Sequence, residues 1–312
     1  MTNNNHIKTN NEDGIKTNND DGIKTNNDDG IKTNNDDGTK TNNDDGTKTN
    51  NDDGTKTNND DGTKTNNDDG TKTNNDEIDN ENYYFSCLNF DNEERKKKIE
   101  ERFKILDINC NFNKGVNFED DRIKNVPEGC KRVFSCTYGH LDGIYNFYHN
   151  TNKKYGIFCE DDINIHKSLK QKLNDIMNEV DIMKLDILLL GYLTPHEINE
   201  YNYGYNIKHH FENKSYKYHN YPDSQWGAQL FLITKNYAKY LLDTFYIDYA
   251  EKTILDPNIP SFSPDWILTK HGNRALIYPM LAVEDGNANS GHYGQDKFHI
   301  DCHNFNINEN FI

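Results

Sequence analysis

Three consecutive carboxylates, Glu160, Asp161 and Asp162, follow directly on the short apolar segment YGIFC. Ile157 and Phe158 in that segment have the β-branched and aromatic character of a buried strand. Carboxylates cannot enter an apolar core without a partner, because burying an unpaired charge is costly. The pattern therefore has two interpretations: a strand end or helix cap in solvent, where Asp is common, or a site at which these side chains meet a cation or a ligand.

The elements around the triplet decide where it lies. From Tyr83 onward strand-like and helix-like segments alternate, which predicts an α/β domain with a mostly parallel sheet and flanking helices. In such sheets ligands gather at the carboxyl ends of the strands, where the triplet falls. Strands are predicted for YYFSCLNF, YGIFC, LDILLLGY and AQLFLIT, and helices for the segment capped by Asp91 with Ile99, Phe103 and Leu106 on one face, for Ser135–His149, for the segment after Ser168, and for the segment through Tyr237, Leu241 and Phe245.

The first quarter of the chain is a repeat. Residues 12–75 form near-identical octads of the form DDG(I/T)KTNN, none with more than one large apolar residue. Burial then offsets little of the conformational entropy of ordering, so residues 1–79 are predicted to be a disordered tail and residues 80–312 the folded domain. The alternative is a repeat that folds on calcium, as Asp- and Gly-rich repeats do. Its apolar position changes from Ile to Thr at Thr39, which favours disorder.

Charge and hydropathy exclude several classes of protein. The net charge is −17, with 52 acidic and 35 basic residues, so no binding to nucleic acid is expected without a local basic patch. The basic run Arg95–Lys98 is flanked by glutamates, which predicts a solvated helix face. No apolar run approaches the about 20 residues of a transmembrane helix, and no signal-peptide hydrophobic region is present. A soluble, cytoplasmic protein is expected, located in the host cytoplasm or the virion if the source is viral.

The six cysteines include no CxxC pair and lie mostly in apolar or strand-like contexts. This spacing favours reduced thiols in the core over a disulfide framework or a thiolate metal site.

The order of the motifs resembles glycosyltransferase family 25, the family of lipopolysaccharide-biosynthesis and procollagen galactosyltransferase-like enzymes, over most of residues 83–299. SCLNFDNEERKKKI is similar to the family's first strand and turn, and FSCTYGH to its Cys, Ser and His segment, with Gly139 where a serine is usual. The acidic triplet is followed at the usual distance by LDILLLGY. WGAQLFLITKNYAKYLL, SPDWIL and RALIYPMLAV then resemble the family's later strands and the acidic residue before them.

The resemblance implies a GT-A fold and transfer of a sugar from a nucleotide-sugar donor, with UDP-sugars the expected class, to a hydroxyl of a glycan, glycolipid or protein. A divalent Mn or Mg ion suits the carboxylates and would neutralise the departing diphosphate. Inversion at the anomeric carbon requires a base. The implied roles are Asp162 and Glu160 on the metal, Glu160 or Asp161 on the donor sugar or ribose, Asn89, Asp91, Arg95 and His140 at the donor, Trp226 at the substrate and Asp265 as the base.

Each role has a structural alternative. Asp265 suits a helix cap after Ser263 as well as a base, and His140 suits a buried structural histidine. Trp226 and the tyrosine-rich insertion form either an acceptor platform or an amphipathic loop. One of the late histidines either completes the metal shell or belongs to a polar surface. The insertion tyrosines are Tyr201, Tyr203, Tyr205, Tyr216 and Tyr218, and the late histidines are His292, His299 and His303.

Two further functions stay open for the whole chain. Gly139 departs from the family pattern, which keeps open a catalytically inactive transferase fold that serves as a binding or structural protein. A metal-dependent hydrolase would use the same carboxylates.

Overall fold

The computed structural model describes residues 82–203, 214–256, 258–286 and 295–312, together with the backbone of seven three-residue strands in the repeat. The chain divides into two compact units, Met1–Glu77 and Ile78–Ile312. The functional assignment of the two predicted domains stays a prediction.

In the repeat unit, each described strand is one KTN triplet, and alternate triplets pair in parallel and in register to give a four-stranded and a three-stranded sheet. These strands differ from the predicted disorder at their own positions, because identical triplets can satisfy each other's backbone groups without a buried side chain. The DDG residues lie outside the described residues, so disorder elsewhere in the tail and the calcium alternative stay predictions. The strands are β1 Lys8–Asn10, β2 Lys16–Asn18, β3 Lys24–Asn26, β4 Lys32–Asn34, β5 Lys40–Asn42, β6 Lys48–Asn50 and β7 Lys56–Asn58.

The second unit is built on a nine-stranded mixed sheet. Its strands are β8 Tyr83–Asn89, β9 Asn111–Lys114, β10 Tyr155–Glu160, β11 Ile163–Ile165, β12 Ile187–Leu193, β13 Lys217–His219, β14 Trp226–Thr234, β15 Arg274–Tyr278 and β16 Ala282–Glu284. Its helices are α1 Glu93–Ile105, α2 Glu128–Asn150, α3 Leu169–Met183, α4 Lys235–Phe245, α5 Tyr249–Leu255, α6 Pro264–Ile267 and α7 Asp296–Asn306.

Helices cover both faces of this sheet. Strand side chains alternate between two hydrophobic clusters, so that Ile157 joins one cluster while Phe158 joins the other. The first cluster contains the apolar stripes of α1 and α3, and the second contains those of α2 and α4. The α/β architecture with flanking helices is therefore as predicted.

The strand order is β11-β16-β12-β14-β10-β8-β9, with β15 beside β12 and β13 beside β15. The sheet is largely parallel: β8, β9, β10, β12, β15 and β16 run in one direction, and β11, β13 and β14 oppose them. Because β14 is antiparallel to both of its neighbours, its first residue, Trp226, pairs with Leu193 at the carboxyl end of β12. The start of β14 and the carboxyl ends of β10, β12 and β16 consequently lie at the same end of the sheet.

Two predicted helix starts are wrong. The cap of α1 is Asn92, whose side chain accepts a hydrogen bond from the Arg95 N–H at 3.0 Å, whereas Asp91 precedes it with a left-handed φ of 48°. Helix α2 begins at Glu128 instead of Ser135, since its first turns are polar and carry no apolar periodicity but follow Pro127. None of the described helices combines the length and apolar character that crossing a membrane would require.

Candidate active site

The acidic triplet lies where β10 ends. Glu160 is the last residue of that strand, and Asp161 and Asp162 form the turn before β11. The neighbouring parallel strand β8 ends at Asn89, whose side-chain amide donates to Asp161 Oδ2. Arg95, on the first turn of α1, donates from Nη1 to Asp162 Oδ2 at 3.0 Å and to Asp161 Oδ1 at 3.4 Å. The packing of α1 beside these two strands therefore sets one cation against two of the three carboxylates.

A fourth carboxylate, which the sequence analysis missed, completes what we call the acidic edge: Glu160, Asp161, Asp162 and Glu284. Glu284 is buried and ends β16, and its backbone pairs with Ile163. Since carboxyl ends of parallel strands collect ligands, the run LAVED could have been flagged by the rule that selected the triplet.

Electrostatic strain concentrates at the acidic edge. Burial, followed by the charges of Glu284, Asp265 and Asp161, raises the pKa of Glu160 to about 8. Burial and the same kind of like-charge repulsion hold the pKa of Asp162 well above its usual range. Asp162 Oδ1 is also buried without a hydrogen-bond partner. A buried acceptor without a hydrogen-bond partner is rare in native proteins. The acidic edge therefore suits a cationic or hydrogen-bonding ligand.

Glu284 also orients a histidine from the last helix. His299 Nδ1 on α7 lies 2.7 Å from Glu284 Oε2, and this hydrogen bond raises the pKa of the imidazole. His299 Nε2 is buried without a hydrogen-bond partner, and the residue lines the cleft described below. Of the late histidines that the structure describes, His299 lines the cleft, whereas His303 Nδ1 lies 2.8 Å from the backbone oxygen of Glu284 without lining it.

The opposite side of the site is an aromatic wall, defined by Gln225, Trp226, Asp265 and Trp266. Asp265 lies on the first turn of α6, but its Oδ1 accepts the backbone N–H of Gly227 on β14 at 2.7 Å instead of capping its own helix. That bond joins the segments that carry the two tryptophans. The Trp226 and Trp266 side chains remain 44% and 40% exposed, which is high for the largest apolar residue type.

Buried polar groups hold the aromatic wall in place. Gln225 donates from Nε2 to Leu193 O at 2.8 Å and to Trp226 O at 2.9 Å, and its Oε1 accepts the Tyr203 hydroxyl at 2.8 Å. The Lys270 ammonium donates to Gln225 O and lies 6.0 Å from the Trp266 ring centroid. Burial lowers the pKa of Lys270 to about 8.

The acidic edge and the aromatic wall line one cleft of about 860 Å³, a volume that suits a small-molecule ligand. Of the predicted site residues, the cleft is lined by Arg95, Glu160, Asp161, Asp162, Trp226 and Asp265. Residues missed by the sequence analysis also line it, including Arg132 and Gln229 besides Glu284 and Trp266. Gln229 Oε1 is a further buried acceptor without a partner.

The donor set is compatible with a divalent cation that also binds phosphate. Within the described ranges no three His, Cys, Asp or Glu side chains are grouped so as to hold a metal ion by themselves. Mg²⁺ at phosphate-transfer sites typically needs only one or two protein carboxylates, because the substrate phosphates and water supply the rest. The unpartnered Asp162 Oδ1, with Glu160 close by, fits that lower requirement.

Comparisons with known proteins give only distant likenesses. No protein-family model matches the chain, and no curated protein matches it. Solved structures that resemble it include A197 from STIV, at 13% identity over 65% of this chain and 90% of that one, with a TM-score of 0.34. Another is a glycosyltransferase involved in the glycosylation of the major capsid of PBCV-1, at 14% identity over 57% and 77%, with a TM-score of 0.29. At these values function has to be argued from the cleft itself.

Three predicted donor residues do not line the cleft. Asp91 is exposed and pairs with Lys114 at 2.7 Å, because the left-handed turn before α1 directs it elsewhere. Asn89 is buried and positions Asp161 through its hydrogen bond. His140 is buried on α2, with Nε2 3.9 Å from Glu160 Oε1, and burial lowers its pKa to about 4, which keeps the imidazole neutral.

The expectation for the basic run holds only in part. Lys98 pairs with Glu94 on the surface, as a solvated face would, but Arg95 points into the cleft. The helix position of Arg95, one turn after the cap and beside the end of β10, explains this difference.

None of the insertion tyrosines that the structure describes lines the cleft. Tyr216 and Tyr218 are buried and donate their hydroxyls to Glu179 on α3, and Tyr201 is almost fully exposed. Tyr203 connects to the aromatic wall through Gln225. Tyr205 and His292 lie outside the described residues.

Gly139 has a packing explanation. A Cβ at this position would lie 2.5 Å from Leu88 Cδ1 and 3.0 Å from the Lys114 carbonyl oxygen. A side chain at this position of α2 would therefore have to displace the Leu88 methyl group and would lie close to the β9 backbone. Gly139 does not line the cleft itself, whereas Leu88, which a Cβ there would meet, does.

Proposed function

We propose that residues 80–312 are a metal-dependent glycosyltransferase domain that moves a sugar from a nucleotide-sugar donor, expected to be a UDP-sugar, to a hydroxyl acceptor. The observation that carries the proposal is the pairing, within one cleft, of a strained acidic edge holding an unpartnered carboxylate oxygen with an aromatic wall that presents Asp265. The order of motifs along the sequence supports the same reaction class.

The acidic edge is assigned to the diphosphate and the donor sugar. Asp162, with Glu160 as a second candidate, would hold Mn²⁺ or Mg²⁺, which supplies positive charge to the departing diphosphate. Arg95 adds a fixed cation beside Asp161 and Asp162. Asp161 is held by Asn89 and Arg95, and an oriented carboxylate of this kind suits the hydroxyls of the ribose or the donor sugar.

Asp265 is assigned the role of general base in an inverting displacement. Its Oδ1 is fixed by the Gly227 N–H, and no described residue donates a hydrogen bond to its Oδ2. Oδ2 is thus available to take the proton of an acceptor hydroxyl as that oxygen attacks the anomeric carbon.

Nucleotide release from a donor panel tests the proposal. The full-length chain would be incubated with UDP- and GDP-sugars and Mn²⁺ or Mg²⁺, with EDTA as the matched control. We expect release from at least one donor, with water or an added acceptor as the nucleophile, and loss of that release in EDTA. Absence of both binding and release for every donor would refute the enzyme and favour a binding protein with a transferase-like fold.

A further inference from the structure

The chain of 312 residues has two tryptophans, and both of them line the cleft. Each keeps about two fifths of its surface exposed. Two partly exposed tryptophan rings at one cavity suit a ligand with an apolar face, because its binding would cover both rings.

The two rings come from distant parts of the chain and are fixed in common. The Gly227 N–H to Asp265 Oδ1 bond ties the residue after Trp226 to the residue before Trp266. Gln225 has its amide fully used in holding the start of β14, and Lys270 lies over the Trp266 and Tyr221 rings. A surface that is rigid before binding loses little entropy when a ligand docks on it.

Polar groups beside these rings suit a polyhydroxylated ligand. Asp265 offers a free carboxylate oxygen, and Gln229 Oε1 is a buried acceptor with no partner, on a residue with only 6% of its surface exposed. Both need O–H or N–H donors. A pyranose presents C–H groups on its faces, which contact aromatic rings, and hydroxyl donors around its edge.

The position of the base assigns this ligand to the acceptor side of the reaction. The attacking hydroxyl must lie within hydrogen-bond reach of Asp265, so the group that covers Trp266 next to it carries that hydroxyl. The diphosphate, in contrast, belongs at the acidic edge with Arg95.

We propose that the acceptor is itself a saccharide, whose ring stacks on Trp226 and Trp266 and whose attacking hydroxyl faces Asp265, so that the enzyme extends an existing glycan. This inference rests on the proposed transferase function for the reaction but not for the binding of the sugar. A protein side-chain hydroxyl, which has no pyranose face, would leave both rings uncovered.

Tryptophan emission tests the binding, because both tryptophans of the chain line this cleft. The full-length chain, without donor, would be titrated with the methyl glycosides of glucose, galactose, mannose, xylose, fucose and N-acetylglucosamine. These compounds do not absorb where tryptophan emits. We expect a saturable emission change with at least one glycoside, and retention of part of it in Trp226→Phe and in Trp266→Phe. No saturable change with any glycoside would overturn the proposal.

Acceptor kinetics separate failure of this inference from failure of the transferase. With a donor that is turned over, the same glycosides and Ser- and Thr-containing peptides would be compared as accelerators of nucleotide release. We expect a glycoside to accelerate release, and Trp226→Ala or Trp266→Ala to raise its KM about tenfold, the size of one aromatic stacking contact, with partial rescue by Phe. Tyr240→Ala, at 41% exposure outside the cleft, is the matched control and should leave that KM unchanged.

The outcomes are distinct. Acceleration by peptides and not by glycosides would overturn the saccharide acceptor while the transferase stands. A saturable emission change without turnover of any donor would refute the transferase while supporting the sugar-binding wall.

Discussion

The two sides of the cleft differ in how completely their polar groups are satisfied. The aromatic wall is held in place by hydrogen bonds: Gln225 uses its whole amide, and Asp265 Oδ1 accepts a backbone N–H at 2.7 Å. The acidic edge is unfinished, with raised carboxyl pKa values and an unpartnered Asp162 Oδ1. One side is therefore organised before a ligand arrives, whereas the other has a carboxylate oxygen that a cationic ligand would pair with.

The largest expected effect follows from removing the charge of Asp162. Asp162→Asn should lower nucleotide release by about 10³-fold or more, since a metal contributes several kcal/mol and each 1.36 kcal/mol is tenfold. The melting temperature should change by less than about 3 °C, because burial and its neighbours already hold the pKa of this carboxyl high, so its charge does not stabilise the fold.

The control for Asp162→Asn is Asp107→Asn, an exposed carboxylate paired with Lys170 outside the cleft. Asp107→Asn should alter neither the rate of nucleotide release nor the melting temperature. Collapse of the fold in Asp162→Asn would instead identify Asp162 as a structural residue and remove the contrast between the two sides.

Asp265→Asn tests the aromatic wall in the same way. The amide oxygen can still accept the Gly227 N–H, so the wall stays in place while the base is lost. Turnover should fall about 10²–10³-fold, with donor binding retained in a fluorescence titration. A kcat within twofold of the unmodified protein would assign Asp265 to structure alone.

Arg95→Ala tests how far the acidic edge depends on the cation that pairs with it. Removal of this partly buried partner should destabilise the unit by about 1–2 kcal/mol, because two carboxylates lose their counter-charge. Added Mg²⁺ should then raise the melting temperature of the variant more than that of the unmodified protein. Lys98→Ala on the same helix, which breaks only an exposed pair with Glu94, is the matched control.

The smallest effect concerns the hydrogen bond between His299 and Glu284, measured against pH. Glu284 raises the pKa of His299 in the folded state, so the stability contributed by the charged pair is fully present below the unfolded pKa of about 6.5 and is lost as pH rises through the folded value. His299→Gln should therefore cost about 1 kcal/mol at pH 5.5 and less at pH 9.

A double-mutant cycle with Glu284→Gln isolates this pair by urea unfolding. The coupling free energy should fall between pH 5.5 and pH 9. A coupling that grows over this range would contradict the assignment of a charged pair.

The sequence was sufficient for the parts of the site that depend on a single strand end. The triplet after YGIFC and the α/β alternation follow from local patterns, whereas Asp265 was singled out by the family resemblance of SPDWIL. Trp226 was singled out by resemblance, and its position at the cleft depends on the antiparallel direction of β14, which alternation alone does not predict.

What the sequence could not supply depends on which strands and helices become neighbours. Glu284 reaches the triplet because β16 lies between β11 and β12, more than 120 residues after β10. The orientations of Arg95 within the basic run and of Tyr216 within the insertion could not be predicted for the same reason: the partner of each, Asp162 and Glu179, is distant in sequence. The side chains of a charged run or of a tyrosine-rich insertion can point in several directions, and the direction is decided only by partners from other elements of the fold.

Equilibrium binding of a donor tests the central claim most directly, namely that a cation and a nucleotide-sugar together complete the acidic edge. Tryptophan emission would be followed while UDP-glucose, UDP-galactose or GDP-mannose is added in Mg²⁺ or in EDTA. The account predicts saturable binding of at least one donor that weakens at least tenfold in EDTA and in Asp162→Asn. Binding of equal strength with and without the metal, or unchanged by that substitution, would contradict it.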